Sequence, residues 1–313
     1  VCGDPLNKRY SKIEYANLLI EFVPILKKIS ARYSYQNPLS SKEDFGDIDI
    51  LIIPIENLSV ETLKYEFNTE YVSKNGTTWS LLYKDFQVDL ITTNDKEFEF
   101  SKAYFCRPAD YSNFVGKVAH QLGLKFGHNG LWLPIRFNDS HKLSDILLTL
   151  DPRVAEDFLD IKPLVNATKI EDVFENIVAS KYFNPEVFQL ENNNQTARVR
   201  DKKRPSYRAF LEYMKSLPDR EYFPRTKDKT QHLPIIFEEF PEAEQKYKDL
   251  YAYKNLVDSN REKFNGDLVS VWTKKTRKEL GNLMVELKKF LTHEKVSEMS
   301  AHDVKLFVLS YNS

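Results

Sequence analysis

The chain has little cysteine, no long apolar run and almost no net charge, and each shortage removes a class of protein. Two cysteines, Cys2 and Cys106, stand far apart among 313 residues. That excludes a disulfide framework and fits a reducing compartment, expected to be the cytoplasm. No apolar stretch approaches the ~20 residues needed to span a bilayer, so no membrane partner is expected, and no secretory signal pattern is visible. The first residue is Val1 rather than Met, so a preceding natural segment is expected. A net charge of −1 excludes a uniformly basic coat for nucleic acid, but not a local basic patch. Internal repeats and long low-complexity tracts are lacking too. What the chain does have is 42% hydrophobic and 13% aromatic residues, enough for real cores, and a length that suggests about two domains.

The stretch that organises the rest is Phe45-Gly46-Asp47-Ile48-Asp49-Ile50-Leu51-Ile52-Ile53. It reads as a turn glycine leading into a strand. Alternation puts Asp47 and Asp49 on one face and Ile48, Ile50 and Ile52 on the other. Two carboxylates on one strand face repel unless a cation lies between them, and hard oxygen ligands suit Mg²⁺ or Mn²⁺. A lone Asp-x-Asp is common in loops and at strand starts. Here, however, a second strand-like run, Phe86-Gln87-Val88-Asp89-Leu90-Ile91, offers a third carboxylate. If it pairs beside the first, Asp89 completes a cluster suited to holding two metals on a triphosphate.

Around this stretch, Ser11-Lys12-Ile13-Glu14 is a capping box, and apolar residues at helical spacing predict a helix to about Ala31. Arg32 to Asn37 alternates like a short strand. The turn after it holds Asn37, Ser40, Ser41 and Lys42. These read equally as the cap of a short helix with donors for a phosphate, and as ordinary turn residues. Ser59 to about Phe67 predicts a helix, and the Asn75-Gly76 region a hairpin. Phe114 to Leu122 predicts an amphipathic helix and Leu131 to Ile135 a buried strand. His120 and His128 have no ligand set nearby in sequence and read as structural or surface residues.

With these pieces in place, residues 11 to 150 resemble the catalytic palm of the DNA polymerase β-type nucleotidyltransferase superfamily. Gly46-Asp47-Ile48-Asp49 and Val88-Asp89-Leu90 stand at its aspartate places. Tyr104-Phe105-Cys106, Tyr111-Ser112-Asn113-Phe114, Ala119 to Lys125 and Gly130-Leu131 resemble the segment that follows the third aspartate in family X polymerases. One departure is that Gln36-Asn37 replaces the family's Gly-Ser pair. An arginine often found shortly after that pair is also missing, with Lys42 or Arg32 as candidate substitutes. The resemblance implies an α+β fold, with a palm of small mixed sheet and helices over residues 1–150, and a metal-dependent nucleotidyltransferase. Asp47, Asp49 and Asp89 would be catalytic and would bind Mg²⁺ or Mn²⁺. Asn37, Ser40, Ser41 and Lys42 would position a nucleoside triphosphate. The alternative is a catalytically inactive nucleic-acid-binding protein on a degenerate palm.

From Asp151-Pro152 onward the spacings are helical, and residues 151–313 are expected to form an all-helical, acceptor-binding domain. Its most informative run is Arg198-Val199-Arg200-Asp201-Lys202-Lys203-Arg204-Pro205-Ser206-Tyr207-Arg208. From Arg198 to Lys229 there are eleven Lys and Arg against five Asp and Glu, interleaved with Tyr207, Phe210, Tyr213 and Tyr222. Basic side chains neutralise phosphates and aromatics stack on unpaired bases. Arg198, Arg200, Lys202, Lys203, Arg204 and Arg208 are therefore the candidate contacts to a nucleic-acid acceptor. The competing reading is a solvated loop and a helix whose aromatics face a core.

Overall fold

The computed structural model describes residues 8–36, 38–136, 142–164 and 167–312. By packing, the chain divides into two units, one of Val1–Leu133 with Leu147–Glu239 and one of Pro134–Ile146 with Phe240–Ser313. The architecture is mixed α+β: a small mixed sheet with helices, then, among the described residues, helices only after residue 150.

The first unit is built on a five-stranded sheet. A short strand β1 (Tyr10–Ser11) leads into helix α1 (Lys12–Ile29). The capping box forms: Ser11 N donates to the Glu14 carboxylate at 2.7 Å, and Ser11 Oγ accepts from Glu14 N. Strand β2 (Ser30–Tyr35) follows at once, and Ser30 Oγ donates to Leu26 O at 2.6 Å. Next come β3 (Asp44–Phe45), β4 (Asp47–Pro54), α2 (Val60–Phe67), β5 (Val72–Asn75), β6 (Thr78–Tyr83) and β7 (Phe86–Thr92). The order across the sheet is β2-β4-β7-β6-β5. Only β4 and β7 run parallel; the other neighbours are antiparallel. The two hairpins have the turn chemistry they need. Gly76 takes φ +58° at the first loop position of β5–β6, and Lys84 and Asp85 take φ 50° and 61° between β6 and β7. Gly46 itself has no left-handed backbone. What fills its side is Arg9, whose Nη1 lies 2.7 Å from where a Cβ would stand.

One face of the sheet carries the main core. Ile48, Ile50 and Ile52 of β4 and Phe86, Val88 and Leu90 of β7 pack against Leu18, Phe22 and Leu26 of α1 and Leu63 and Phe67 of α2. Burying each such side chain contributes about 1.5–3 kcal/mol, so this face strongly fixes the strand register. A one-residue slip would move the whole apolar set to the opposite side.

The chain continues with α3 (Phe98–Phe105), α4 (Tyr111–Gln121), β8 (Lys125–Gly127), β9 (Gly130–Arg136) and β10 (Lys142–Thr149), of which β9 and β10 belong in part to the second unit. Strands β10-β9-β8 form a separate three-stranded sheet. The sequence signals for α3 and β10 were too weak to be read. The burial of Lys142–Thr149 follows no clean alternation, with one buried position at Ile146, so no strand period marks it. No short helix forms around residues 40–41, where the chain makes a turn. Helices α5 (Pro152–Phe158), α6 (Ile170–Ala179), α7 (Gln195–Lys203), α8 (Pro205–Met214) and α9 (Leu233–Glu239) complete the unit. In the second unit, α10 (Pro241–Arg261), α11 (Gly266–Thr273), α12 (Arg277–Phe290), α13 (His293–Glu298) and α14 (Ala301–Asn312) enclose their own core of Val269, Leu283, Leu287, Val296, Val304 and Val308.

Candidate active site

The parallel pairing of β4 with β7 decides where the three aspartates meet. Asp49 is the register partner of Asp89, and Asp47 that of Gln87. Register partners on neighbouring strands share a face and stand about 4.8 Å apart, and residues i and i+2 share a face about 6.5–7 Å apart. Asp47, Asp49 and Asp89 therefore project from the face opposite the main core. Asp47 is exposed, and Asp49 and Asp89 are half-buried. The other end of the same face is apolar, where Leu51 and Ile91 pack against Phe98 of α3. The carboxylates thus sit where the sheet emerges from beneath that helix.

The electrostatics agree with this convergence. The Asp49 carboxyl is pushed up to about 6, first by burial and then by the charges of Asp47 and Asp89, while Lys42 pulls it back. Asp89 has one oxygen engaged, since Gln87 Nε2 donates to Oδ2 at 2.9 Å. Its other oxygen, Oδ1, is buried without a hydrogen-bond partner. A buried carboxylate oxygen with no donor is costly unless something positive meets it. Among the described residues, no three His, Cys, Asp or Glu side chains stand ready-arranged around a single metal position. The donor set itself, oxygen only, clustered and partly buried, suits a hard divalent ion.

The loop expected to hold a triphosphate begins beside this cluster. Gln36 N donates to Asp49 O at 3.4 Å, extending the β2–β4 pairing, and Gln36 Nε2 donates to Arg107 O at 3.2 Å. Asn37 lies outside the described residues. Ser40 is already engaged: its Oγ donates to Thr168 O at 3.0 Å and its carbonyl accepts from Lys12 Nζ at 2.6 Å. Ser41 is exposed. The Lys42 ammonium lies 4.7 Å from the centre of the Phe45 ring, and its charge favours ionised Asp49. Of the two cations considered as substitutes for the missing arginine, Lys42 is the one that acts on the carboxylates. Arg32 is held by Glu99 and lies 4.0 Å over the Phe98 ring. Its register partner is Ile53, two side-chain rows along the strand from Asp49.

Three features of the site escaped the sequence reading. Gln87 braces Asp89, and its place two residues earlier on the same strand put it on the same face. Cys106 reaches the same surroundings. Its thiol is pushed up to about 11, by burial first and with Asp49 adding to it, while the Ser34 hydroxyl and Lys102 oppose. The connection between α3 and α4 is braced from beneath by Glu156, which is fully buried. It pairs with Arg107 at 3.0 Å and accepts from Tyr111 Oη at 2.9 Å. No short-range pattern announced that pairing, because the partners are 45 to 49 residues apart.

The basic run takes shape as α7 and the start of α8. Lys202, Lys203 and Arg208 are exposed. Arg198 donates to the carbonyls of Leu190, Glu191 and Asn193. Arg200 donates to Asp201 at 3.0 Å and Asn113 at 2.9 Å, and Arg204 pairs with Asp110. Two of the four interleaved aromatics turn inward, while Tyr213 and Tyr222 are half-buried. Tyr207 and Phe210 are fully buried, and Tyr207 Oη donates to Phe188 O. Base stacking on these two rings is therefore not available, and for them the reading in which they face a core holds; the loop of that reading is instead the helix α7. His128 packs its ring near Tyr104 and Phe105. No family model matches this chain, and no curated protein matches it.

Proposed function

We propose that this protein is a metal-dependent nucleotidyltransferase that transfers a nucleoside monophosphate from a nucleoside triphosphate to an acceptor hydroxyl. The observation that carries the reading is the register of β4 against β7, which sets Asp89 beside Asp49 with Asp47 on the same face. The orphaned Oδ1 of Asp89 and the raised carboxyl of Asp49 support it: one is a buried carboxylate oxygen without a donor, the other a carboxyl pushed up by burial and by two neighbouring carboxylates. The resemblance of residues 11 to 150 to the DNA polymerase β-type palm points the same way.

Asp47, Asp49 and Asp89 would hold Mg²⁺ or Mn²⁺. When bound, such an ion stabilises charge on the triphosphate and lowers the pKa of the attacking hydroxyl. The protein's own residues do the rest. Gln87 keeps Asp89 oriented toward the shared face. The main core opposite holds the two strands in register, so the carboxylates keep their spacing. Lys42 supplies positive charge where the triphosphate's negative charge gathers, with Ser41 and the backbone of residues 38–42 as hydrogen-bond donors. Ser40 contributes only after releasing Thr168. The Glu156–Arg107–Tyr111 brace holds the connection that receives the Gln36 side chain.

The acceptor best suited to this reading is a nucleic-acid 3′ end, either an RNA such as tRNA or a DNA strand. Lys202, Lys203 and Arg208 are exposed for phosphate contact, with Arg198, Arg200 and Arg204 also holding local structure. A second reading, a non-catalytic nucleic-acid-binding protein on a degenerate palm, draws on Gln36-Asn37 at the Gly-Ser place and on the lack, among the described residues, of a ready-arranged metal cluster.

One assay separates them. The purified chain is incubated with each labelled ribo- or deoxyribonucleoside triphosphate, Mg²⁺ or Mn²⁺, and a mixed RNA and DNA pool. The enzyme reading expects transfer that falls by roughly a thousandfold or more in Asp89→Ala. No transfer under any condition, with nucleic-acid binding unchanged when all three aspartates are removed, would establish the second reading.

A further inference from the structure

Four cations stand within five residues where α11 gives way to α12: Lys274-Lys275-Thr276-Arg277-Lys278. Lys274, Arg277 and Lys278 are exposed, and Lys275 is half-buried. Among the described residues no carboxylate comes within ion-pair distance of any of them, and their side chains make no hydrogen bond. The nearest acids in sequence are Asp267, in the first turn of α11 and so at its far end, and Glu279, in the first turn of α12. The α7 run is different, because there Arg198, Arg200 and Arg204 are engaged in holding local structure. The 274–278 loop holds its positive charge unneutralised.

Local preference works against this arrangement. Lys274 caps α11 in the left-handed region at φ 59°, a place that favours glycine, and Arg277 opens α12 at φ 49°. Arg277 and Lys278 lie in the first turn of α12, where the helix dipole favours acids and opposes cations. Thr276, the N-cap, makes no side-chain capping bond. The loop is nonetheless fixed from within. Lys274 N donates to Ser270 O at 2.7 Å, and Ser270 Oγ donates to Lys275 O at 2.8 Å. Four mutually repelling charges are thus held together on an ordered backbone, and what relieves their repulsion is an anionic partner.

We propose that the 274–278 loop is a contact surface for a nucleic-acid backbone. A lone phosphate carries about −1.5 to −2 and leaves about half of the cluster's charge unmet. A polynucleotide brings several phosphates past the loop at once, and neutralising them releases condensed counterions. A membrane surface fits less well, because helices that lie on lipid set an apolar stripe beside their cations. The exposed residues that follow the cluster on α12, Glu279, Gly281 and Asn282, supply no such stripe. Contacts to phosphate carry no base information, so the surface binds without sequence preference. It lies wholly in the second unit and does not depend on the reading given to the aspartate cluster.

The test uses the full chain in EDTA, which removes metal-assisted binding elsewhere. A labelled 20-nucleotide single-stranded RNA and a 20-base-pair DNA duplex are titrated by fluorescence anisotropy between 50 and 200 mM NaCl. The variant carries Lys274→Gln, Lys275→Gln, Arg277→Gln and Lys278→Gln together, with its fold checked by circular dichroism. Saturable binding by the wild type is expected, and at least tenfold weaker binding by the variant at 50 mM. Each phosphate contact contributes about 0.7 to the salt slope on a single strand, so the variant's slope should be smaller by about 2–3. A charge-matched variant with Lys27, Lys74, Lys96 and Lys162 changed to Gln should keep the wild-type slope, and Asp89→Ala should bind as wild type. Unchanged affinity and slope in the loop variant, an equal loss in the charge-matched one, or no saturable binding to either nucleic acid would overturn the proposal. So would binding to phosphatidylserine vesicles that depends on the loop while nucleic-acid binding does not. The readout is binding, so it stands whether or not the aspartates catalyse transfer.

Discussion

Replacing Asp49 by Asn should make the metal-free protein more stable at neutral pH while it abolishes transfer. Asp49 stands beside Asp89 across the strand pair and shares its face with Asp47, and its carboxyl is pushed from 3.8 up to about 6. A folded-state value above the unfolded one means that the folded protein binds the proton more tightly. Stability from this group is then fully present below about 3.8 and is lost as pH rises through about 6. About two units at ~1.4 kcal/mol each give a cost near 3 kcal/mol once the group is ionised. The Asn amide must find its own hydrogen bonds, so a net gain of about 2 kcal/mol is the expectation. For a unit of this size that is about 4–8 °C in melting temperature. Thermal unfolding of wild type and Asp49→Asn in EDTA, from pH 4 to 8, should show little difference at pH 4 and the full gap above pH 7. Millimolar Mn²⁺ should close the gap by stabilising the wild type alone. Equal stability at pH 7.5 in EDTA, or a gap that ignores pH, would refute the reasoning.

Two other perturbations probe the surroundings of the site. Glu156→Ala leaves Arg107 and Tyr111 without their buried partner and should cost about 3–5 kcal/mol in urea unfolding; a loss under about 1 kcal/mol would contradict the brace. Cys106, with its thiol pushed up to about 11, should react with iodoacetamide at pH 8 about a hundredfold more slowly than an ordinary exposed cysteine. Site-resolved mass spectrometry reads that rate, and a rate equal to that of free cysteine would exclude the burial described for it.

Much of the first unit was legible because its signals are local. The Ser11–Glu14 box forms as read, and the alternation of isoleucines with Asp47 and Asp49 sets which face is core. The side-by-side placement of Asp49 and Asp89 needed a pairing between strands about 40 residues apart, which the two apolar-Asp-apolar runs suggested; that the pairing is parallel is visible only in the sheet. What could not be read depended on distant partners or weak periods. The Glu156–Arg107 pair has no sequence signature, β10 lacks alternation, and α3 is an eight-residue helix without a side-chain cap. The interleaving of Tyr207 and Phe210 with basic residues looked like a stacking surface. At helical spacing the same residues form an inner face, and burial decided between the two.

The central claim is that Asp47, Asp49 and Asp89 together hold divalent cations, and Mn²⁺ binding followed by electron paramagnetic resonance tests it most directly. Titrating the full chain in the presence of a non-hydrolysable nucleoside triphosphate should show saturable Mn²⁺ uptake beyond that of the nucleotide alone, weakened at least tenfold in each of the three single Asp→Ala variants. Uptake that matches free nucleotide, or that survives all three substitutions, would contradict it.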